Sequence, residues 1–285
     1  MKQWIASQLS AEGTVAEGLP SKHLGGEGEH LVFFHANGFP PAMYRQMLMP
    51  LTEHYKVSTV YQRPLWPLPV PEDFNNWQVM IDDACRFIAA QPEPVILVGH
   101  SMGGLISIIC AVREPDKIKK LVLLDPVILQ PHLIWLMRNL PDFLRKKLPI
   151  VDKTLRRPDF FVDKEKGYRF HRRVRNFKHI PDSILEDYMA EGLYPVEGGF
   201  KLSYSREWEA AIYQTVPWAW SSIKRLDIDT VVIRGSQSDT LLPQTVTRLQ
   251  RKQPHVKLVE IEGGHLFPLE QPEEAAQLIL QQLAK

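Results

Sequence analysis

One serine in this chain stands where a side chain can attack a substrate. Ser101 lies in the stretch Gly99-His100-Ser101-Met102-Gly103, directly after a short apolar run and before a helix-like segment. A sharp turn from strand to helix crowds the backbone, and glycines two residues before and after the apex relieve that crowding. The free N–H groups at a helix start favour negative charge. The pattern therefore predicts Ser101 as a nucleophile and the backbone N–H of Met102 as a donor to an oxyanion.

A serine nucleophile needs a base, and the base needs a carboxylate to orient it. His265 is the candidate base, because the two glycines before it let the loop after the last predicted strand turn back over the sheet. Asp239, just past the preceding strand, is the favoured acid, since strands joined by short connections tend to lie side by side. Asp125 is the alternative acid. It also ends a strand, and it reaches His265 only if that strand lies beside the strand of Ser101.

The loop that follows an early strand is expected to supply a second oxyanion donor. It reads HANGFP at 35–40, where Gly38 permits an unusual backbone angle. The N–H of Asn37 is the first choice as donor and that of Gly38 the second, while a plain glycine turn is the alternative. We interpret His35 as a structural brace of this loop, and His100 as a group that packs or hydrogen-bonds beside the nucleophile.

The elements that must position these residues alternate along the chain. Short apolar runs, typical of strands buried on both faces, are separated by amphipathic stretches typical of helices. This alternation predicts an α/β fold with a doubly wound, mostly parallel sheet, and it places Ser101, Asp239 and His265 at carboxyl ends of strands. The predicted strands cover 31–38, 56–62, 94–101, 118–126, 229–235 and 256–264, and the predicted helices cover 42–52, 73–90, 103–113, 243–252 and 272–284.

The alternation stops between residues 130 and 222. This segment is amphipathic, helical in pattern and rich in Trp, Arg and Lys, and it holds 16 basic and 12 acidic residues. It is too long to be a crossover between two strands. We predict a helical cap inserted at 130–222 into a core made of 1–129 and 223–285, and we call 130–222 the cap segment.

Composition narrows the possible classes of protein. The chain has 285 residues, 44% of them hydrophobic and 24% charged, and a formal net charge of +1, which gives no sign of a nucleic-acid partner. No run is long enough to predict stable insertion into a membrane, and the start lacks the apolar stretch of a secretory signal. The histidines show no metal-binding spacing. We therefore expect a cytoplasmic protein with no cofactor and with Cys85 and Cys110 as buried thiols.

These motifs resemble those of the α/β-hydrolase superfamily, in particular its capped serine esterase-like branch. The matching stretches are HANGFP (35–40), GHSMGG (99–104), RGSQSD (234–239) and GGHLFPLEQPE (263–273), in family order across nearly the whole chain. In this alignment Asn37 takes the position that supplies an oxyanion N–H, and Ala36 replaces a usual glycine. Members with haloalkane dehalogenase or epoxide hydrolase activity carry Asp at the position of Ser101, so this serine argues against both activities.

The resemblance implies a serine hydrolase that cleaves small carboxylic esters of short to medium acyl length through an acyl-enzyme on Ser101. A thioesterase and a carbon–carbon bond hydrolase are alternatives with the same three residues, and a non-catalytic ligand-binding protein is an alternative of another class. The oligomeric state stays open.

Two features of the cap segment have alternative interpretations. The basic stretch Arg169 to Lys178 is either a solvated helix face or a lip that attracts anionic groups. The aromatic residues of the cap segment either line an acyl pocket or pack the cap against the sheet; they are Trp135, Trp208, Tyr213, Trp218 and Trp220.

Overall fold

A computed structural model describes residues 1–284 of the chain and contains two sheets. The strands, in chain order, are β1 (Ser21–Gly25), β2 (His30–Phe34), β3 (Lys56–Val60), β4 (Val95–His100), β5 (Ile118–Leu124), β6 (Phe160–Phe161), β7 (Leu193–Val196), β8 (Gly199–Leu202), β9 (Thr230–Gly235) and β10 (Lys257–Ile261). The larger sheet has the order β1-β3-β2-β4-β5-β9-β10. All its pairs are parallel except β1 with β3. The predicted mostly parallel α/β sheet is confirmed.

The helices are α1 (Lys2–Ala6), α2 (Arg45–Leu48), α3 (Gln78–Ala89), α4 (Met102–Arg113), α5 (Pro131–Asn139), α6 (Asp142–Arg145), α7 (Pro149–Arg156), α8 (Lys164–Arg173), α9 (Asp182–Glu191), α10 (Arg206–Gln214), α11 (Trp220–Ile223), α12 (Pro243–Lys252), α13 (Phe267–Glu270) and α14 (Pro272–Leu283).

Alternate residues of the central strands enter two separate cores. On β2, Val32 and Phe34 pack in the core formed with α3, α4, α11 and α12, while Leu31 and Phe33 pack in the core formed with α2, α13 and α14. Side chains of a strand alternate between its faces, so a sheet covered on both sides needs apolar residues at every position. This explains why β2 and β4 read as nearly continuous apolar runs.

Two local features differ from the sequence expectations. The sheet has an additional antiparallel edge strand, β1, in a stretch whose polar composition does not predict a strand. The helix expected at 42–52 is reduced to α2, flanked by the 3₁₀ turns Pro41–Tyr44 and Met49–Glu53. Proline has no N–H for an α-helical hydrogen bond, so Pro41 and Pro50 restrict the regular helix to the residues between them.

The cap segment combines helices with a small antiparallel sheet in the order β6-β8-β7. The segment predicted as a helical cap therefore also contains three short strands. The hairpin β7–β8 turns at Gly198, whose φ of 75° suits glycine, so Glu197-Gly198 is a hairpin signal that helical periodicity obscured. Helix α11 crosses the predicted boundary at 222, and that boundary stays a prediction.

Two sequence expectations concern the membrane and the cysteines. None of the helices within residues 1–284 is both long enough and apolar enough to cross a bilayer. Cys85 and Cys110 are buried free thiols whose Sγ atoms lie 3.5 Å apart, between α3 and α4.

His171 links the stability of the cap segment to pH. Its imidazole is buried against the rings of Phe177 and Tyr188, and its Nδ1–H donates to the carbonyl of Gly167 at 2.8 Å. Burial lowers the pKa of His171 to about 4. Between that value and the ordinary pKa of about 6.5, the unfolded chain binds the proton and the folded chain does not. Acid therefore favours unfolding in this window.

We predict that His171→Gln makes the free energy of unfolding less dependent on pH between about 4.5 and 6.5. The wild-type free energy should rise with pH there, and the variant should lose up to about 1.4 kcal/mol per pH unit of that slope. Urea unfolding at several pH values measures it. His255→Gln, at an exposed position, is the control. Parallel curves for wild type and His171→Gln would contradict the prediction.

Candidate active site

Ser101 occupies a strained turn between β4 and α4. Its φ of 54° and ψ of −111° are rare for a residue with a side chain, and this conformation costs about 1–3 kcal/mol. The adjacent glycines allow it. A Cβ on Gly99 would lie 2.6 Å from the carbonyl oxygen of Gly103, and a Cβ on Gly103 would lie 2.1 Å from that of Phe34. The residue is 9% exposed, so Ser101 lies at a covered site.

His265 contacts Ser101 on one side and Asp125 on the other. Its Nε2 lies 3.0 Å from Ser101 Oγ, and its Nδ1 lies 2.6 Å from Asp125 Oδ2. A carboxylate only accepts hydrogen bonds, so Nδ1 carries the proton and Nε2 is left to accept from the serine hydroxyl. This is the tautomer that a general base requires.

The structure corrects the expectation that Asp239 orients His265. Asp239 is exposed, and within residues 1–284 its carboxylate accepts only a long hydrogen bond from the hydroxyl of Thr240, at 3.4 Å. The alternative acid, Asp125, occupies the position instead. The sequence argument correctly placed β9 beside β10, but the neighbour of Asp239, Ser238, is the residue that reaches the site.

Strand order explains why Asp125, and not Asp239, contacts His265. β5 lies between β4 and β9, so the residue after β5 emerges between the loop of Ser101 and the loop that follows β9. The N–H of Ser101 donates to the carbonyl of Leu124 at 3.0 Å, and the N–H of Asp125 donates to that of Ile233 at 2.8 Å. His265, on the loop after β10, reaches across the end of β9 to meet it.

The carboxylate of Asp125 is fully buried and accepts three hydrogen bonds. Besides His265, the donors are the N–H of Gly235 at 3.2 Å and the hydroxyl of Ser238 at 2.5 Å. Ser238 was not identified from the sequence, because serine in a loop after a strand has no distinguishing signal. Its hydroxyl also accepts from the N–H of Thr240 and of Leu241, which orients it towards Asp125.

The loop at 35–40 lies against the turn of Ser101. Gly103 packs so closely on the carbonyls of Phe34 and His35 that it has no room for a Cβ. The side chain of Asn37 donates to the carbonyl of Glu209 at 3.1 Å and accepts from the hydroxyl of Tyr204 at 2.9 Å.

The two candidate oxyanion donors are backbone N–H groups. Within residues 1–284 the N–H of Asn37 makes no hydrogen bond, and that of Met102 belongs to the first turn of α4, where no intrahelical acceptor exists. Both groups are thus available to a ligand. Gly38, at φ 83°, lies against the carboxylate of Glu209, so the cap segment packs directly on this loop.

His35 braces the same loop. Its Nδ1–H donates to the carbonyl of Ala36 at 2.9 Å, and its Nε2 accepts from the N–H of Gln62 at 3.3 Å. Burial lowers the pKa of His35 to about 4, which keeps the ring neutral and able to accept.

His100 and Tyr44 connect the two halves of the site. The hydroxyl of Tyr44 donates to His100 Nδ1 at 2.7 Å, and His100 Nε2–H donates to the carbonyl of His265 at 3.0 Å. The N–H of Ala36, in the 35–40 loop, donates to the Tyr44 hydroxyl at 3.4 Å. Burial and the neighbouring His265 lower the pKa of His100, so its ring stays neutral. One buried chain of hydrogen bonds thus runs from the 35–40 loop to the backbone of His265.

The cap segment contributes a buried ion pair beside the 35–40 loop. Arg157 donates to the carboxylate of Glu209 at 2.7 Å, and burial raises the pKa of Glu209. Since the carbonyl of Glu209 also holds Asn37, this pair fixes α10 against the loop.

The aromatic residues of the cap segment differ in their burial. Trp208 and Trp220 are buried and donate their indole N–H to the carbonyls of Leu68 and Leu129, which favours the packing interpretation for both. Trp135 is mostly exposed. Tyr213 is half-buried, and Trp218 is 37% exposed.

Part of the basic stretch at 169–178 is bound within the cap segment. Arg169 pairs with Glu165, and Arg172 pairs with Asp182 and donates to two backbone carbonyls. Arg173, Arg175 and Lys178 are exposed, as in a solvated face.

A large surface cavity lies away from Ser101, Asp125 and His265. A surface cavity of about 530 Å³ lies between α1 and the β7–β8 hairpin, and its lining includes none of Ser101, Asp125 and His265. No cluster of three or more His, Cys, Asp or Glu residues suited to a metal ion occurs in the described part of the chain. The hydrogen-bonded row of serine, histidine and aspartate therefore identifies the site.

Comparison with known proteins agrees with the fold. A model of the alpha/beta hydrolase family matches residues 31–278. Ethanol acetyltransferase 1 of Wickerhamomyces anomalus is 22% identical over 252 residues, and the peroxisomal membrane protein LPX1 of Saccharomyces cerevisiae is 24% identical over 205. These matches cover 79% and 65% of this chain, which spans only 62% and 52% of the two relatives. The solved structure of E-2-(acetamidomethylene)succinate hydrolase aligns with a TM-score of 0.76 at 20% identity, covering 94% of this chain and 95% of that one.

The two acids make opposite predictions on substitution. Asp125→Asn should reduce turnover of a p-nitrophenyl ester by roughly 10⁴-fold, because an amide favours the wrong tautomer of His265. Asp239→Asn should change it little, since Asp239 is exposed and does not contact His265. Steady-state kinetics of both variants with one ester measures the difference. A larger loss in Asp239→Asn would refute the assignment.

We predict that His100 positions the base through its two hydrogen bonds. His100→Leu removes both and should lower kcat by roughly tenfold to a hundredfold with little change in KM, since small displacements of a catalytic group are costly. His100→Gln, which can both donate and accept, should restore most of kcat and the wild-type pH profile of kcat/KM. His30→Leu, at the start of β2, is the control. Equal activity of the Leu and Gln variants would show that His100 only fills space.

Proposed function

We infer the function from the premise that this chain belongs to the alpha/beta hydrolase family. We propose that it is a serine hydrolase that cleaves small carboxylic esters of short to medium acyl length. The observation that carries the proposal is the row of two hydrogen bonds, 3.0 Å from Ser101 to His265 and 2.6 Å from His265 to Asp125. The proposed catalytic residues are Ser101, His265 and Asp125, with the N–H groups of Asn37 and Met102 as oxyanion donors.

Acylation begins when Ser101 Oγ attacks the ester carbonyl carbon. His265 Nε2 takes the hydroxyl proton as the new C–O bond forms, and the carbonyl electron pair moves onto the oxygen. Backbone N–H groups of Asn37 and Met102 stabilise that oxyanion, with the N-terminus of α4 adding favourable potential. When the intermediate collapses, His265 returns the proton to the leaving alkoxide, and the alcohol departs.

Deacylation repeats the same steps with water. His265 Nε2 removes a proton from water, whose oxygen attacks the acyl carbon, and the second tetrahedral intermediate uses the same donors. Collapse breaks the bond to Ser101 Oγ, which regains its proton from His265, and the carboxylic acid leaves. Asp125 keeps the imidazole oriented throughout and stabilises its cationic form.

The preference for a short to medium acyl group is supported by how closely the site is covered. Ser101 is 9% exposed, and residues of the cap segment contact the adjacent 35–40 loop through Tyr204 and Glu209. The partner in this proposal is a small ester, and the reaction needs no cofactor. The cytoplasmic location stays a prediction.

Ser101→Ala tests the nucleophile. It should lower ester turnover by roughly 10³-fold or more with the fold unchanged, because the row of three residues acts as a unit. A fluorophosphonate probe should label wild type at Ser101 and leave the variant unlabelled. The matched control is Ser58→Ala, whose hydroxyl also lies 2.9 Å from a histidine, His30, but outside the site.

The outcomes separate the alternative functions. Esters from acetate to decanoate, compared with thioesters of the same acyl groups, should show faster cleavage of the esters and an optimum below the longest chain. Faster cleavage of thioesters would overturn the ester assignment. A wild-type protein that is neither labelled nor active would indicate a ligand-binding function.

A further inference from the structure

Three short helices of the cap segment, α5, α6 and α7, bury very little of their surface. Their only buried residues are Ile134, Val151 and Thr154, and α6 has none. Helices usually gain their stability by packing an apolar face against a core. In these helices five large apolar residues are exposed to solvent: Trp135 65%, Leu136 52%, Phe143 63%, Leu144 39% and Ile150 51%.

Exposed apolar residues are concentrated in this segment compared with the rest of the chain. Within residues 1–284 ten large hydrophobic side chains are exposed, and five of them lie between 135 and 150. Single exposed apolar residues are normal, whereas a group of them marks a surface that binds something.

The same segment carries a strong positive charge. Residues 131–157 hold seven Lys or Arg and two Asp, a net charge of +5 in a chain whose formal net charge is +1. Both aspartates are already paired, Asp142 with Arg145 and Asp152 with Arg156. Four exposed cations have no carboxylate within 4 Å among the described residues: Arg138, Lys146, Lys147 and Lys153. We call these four cations and the five exposed apolar residues the α5–α7 face.

The chemistry of the α5–α7 face selects its partner. Transfer of exposed tryptophan, phenylalanine and leucine side chains from water to an apolar phase is favourable. Lysine and arginine side chains are stabilised beside anionic headgroups. A nucleic acid offers anions without an accessible apolar phase. A bilayer with anionic headgroups offers both in one plane, as amphipathic helices at membrane surfaces use them. We propose that the α5–α7 face binds the surface of an anionic phospholipid membrane, peripherally and without spanning it.

The position of this face connects it with the site. Helix α7 is followed by Arg157, which holds Glu209 of α10, and the carbonyl of Glu209 accepts from Asn37 in the 35–40 loop. Membrane binding would therefore place the lipid against the cap side of the protein. The proposal does not depend on ester hydrolysis, and a Ser101→Ala chain tests it without any turnover of lipid.

Co-sedimentation with vesicles tests the proposal. Full-length Ser101→Ala protein should bind vesicles of phosphatidylcholine with about 30 mol % phosphatidylserine at least tenfold more tightly than pure phosphatidylcholine, and added NaCl should weaken binding. Lys146→Gln/Lys147→Gln should weaken it by roughly 25-fold, about fivefold per cation. Trp135→Ser/Phe143→Ser should weaken it at least tenfold. Arg251→Gln/Lys252→Gln and Met49→Ser, exposed positions elsewhere, are the charge and apolar controls.

A second readout does not depend on the folding of the double variants. Brominated lipids in the anionic vesicles should quench tryptophan fluorescence of the parent chain, and Trp135→Phe should remove most of that quenching. The proposal is overturned if binding shows no preference for anionic vesicles, or if the control variants lose as much affinity as the α5–α7 variants. It is also overturned if size-exclusion chromatography without lipid shows a dimer that Trp135→Ser/Phe143→Ser abolishes, which would make the face a contact between two copies.

Discussion

The buried carboxylate of Asp125 is the constraint on which the rest of the site depends. An anion removed from water is costly unless donors surround it. The donors here are the N–H of Gly235, the hydroxyl of Ser238 and the imidazole of His265, which belong to the ends of β9 and β10. One carboxylate therefore orders two loops. It fixes the ring of His265 at the angle from which the other nitrogen meets Ser101.

Close backbone contact is the second constraint. Neither Gly99 nor Gly103 has room for a Cβ, so glycine is needed at both positions where β4 turns into α4. Gly103 also contacts the backbone carbonyl of His35, so the 35–40 loop lies directly against the turn of Ser101. The core alone does not complete this loop, because the side chain of Asn37 is held by Tyr204 and Glu209 of the cap segment. The cap segment thus contacts the 35–40 loop directly, and α10 is one of the elements that hold this loop in place.

The two sides of the cap segment use charge in different ways. Towards the site, Arg157 is paired with Glu209, and in the stretch 169–178 Arg172 is paired with Asp182. Along α5–α7, Lys146 and Lys147 have no carboxylate partner among residues 1–284, and Trp135 and Phe143 are mostly exposed. Paired charges stabilise the protein's own packing. Unpaired cations interleaved with exposed aromatic rings suit a partner outside the chain.

Local chemistry made much of this protein predictable from its sequence. Glycine spacing around Ser101, the apolar strand before it and the glycines before His265 act within a few residues, so they identify the strand–helix alternation and the candidate nucleophile and base. Strand β1 and hairpin β7–β8 were not predicted from the sequence. Their residues lack the apolar pattern of a buried strand, and they are held by pairing between strands.

Only the tertiary structure shows which of the two candidate acids contacts His265. Of the two candidate acids, Asp239 is nearer to His265 in the chain, but β5 lies between β4 and β9, and this order brings Asp125 to the histidine. The hydrogen bonds of Ser238, Tyr44 and His100 likewise join residues far apart in the chain. A sequence records which strands can form, whereas the lateral order of strands follows from how all their faces pack together. That order determined which carboxylate became buried beside His265.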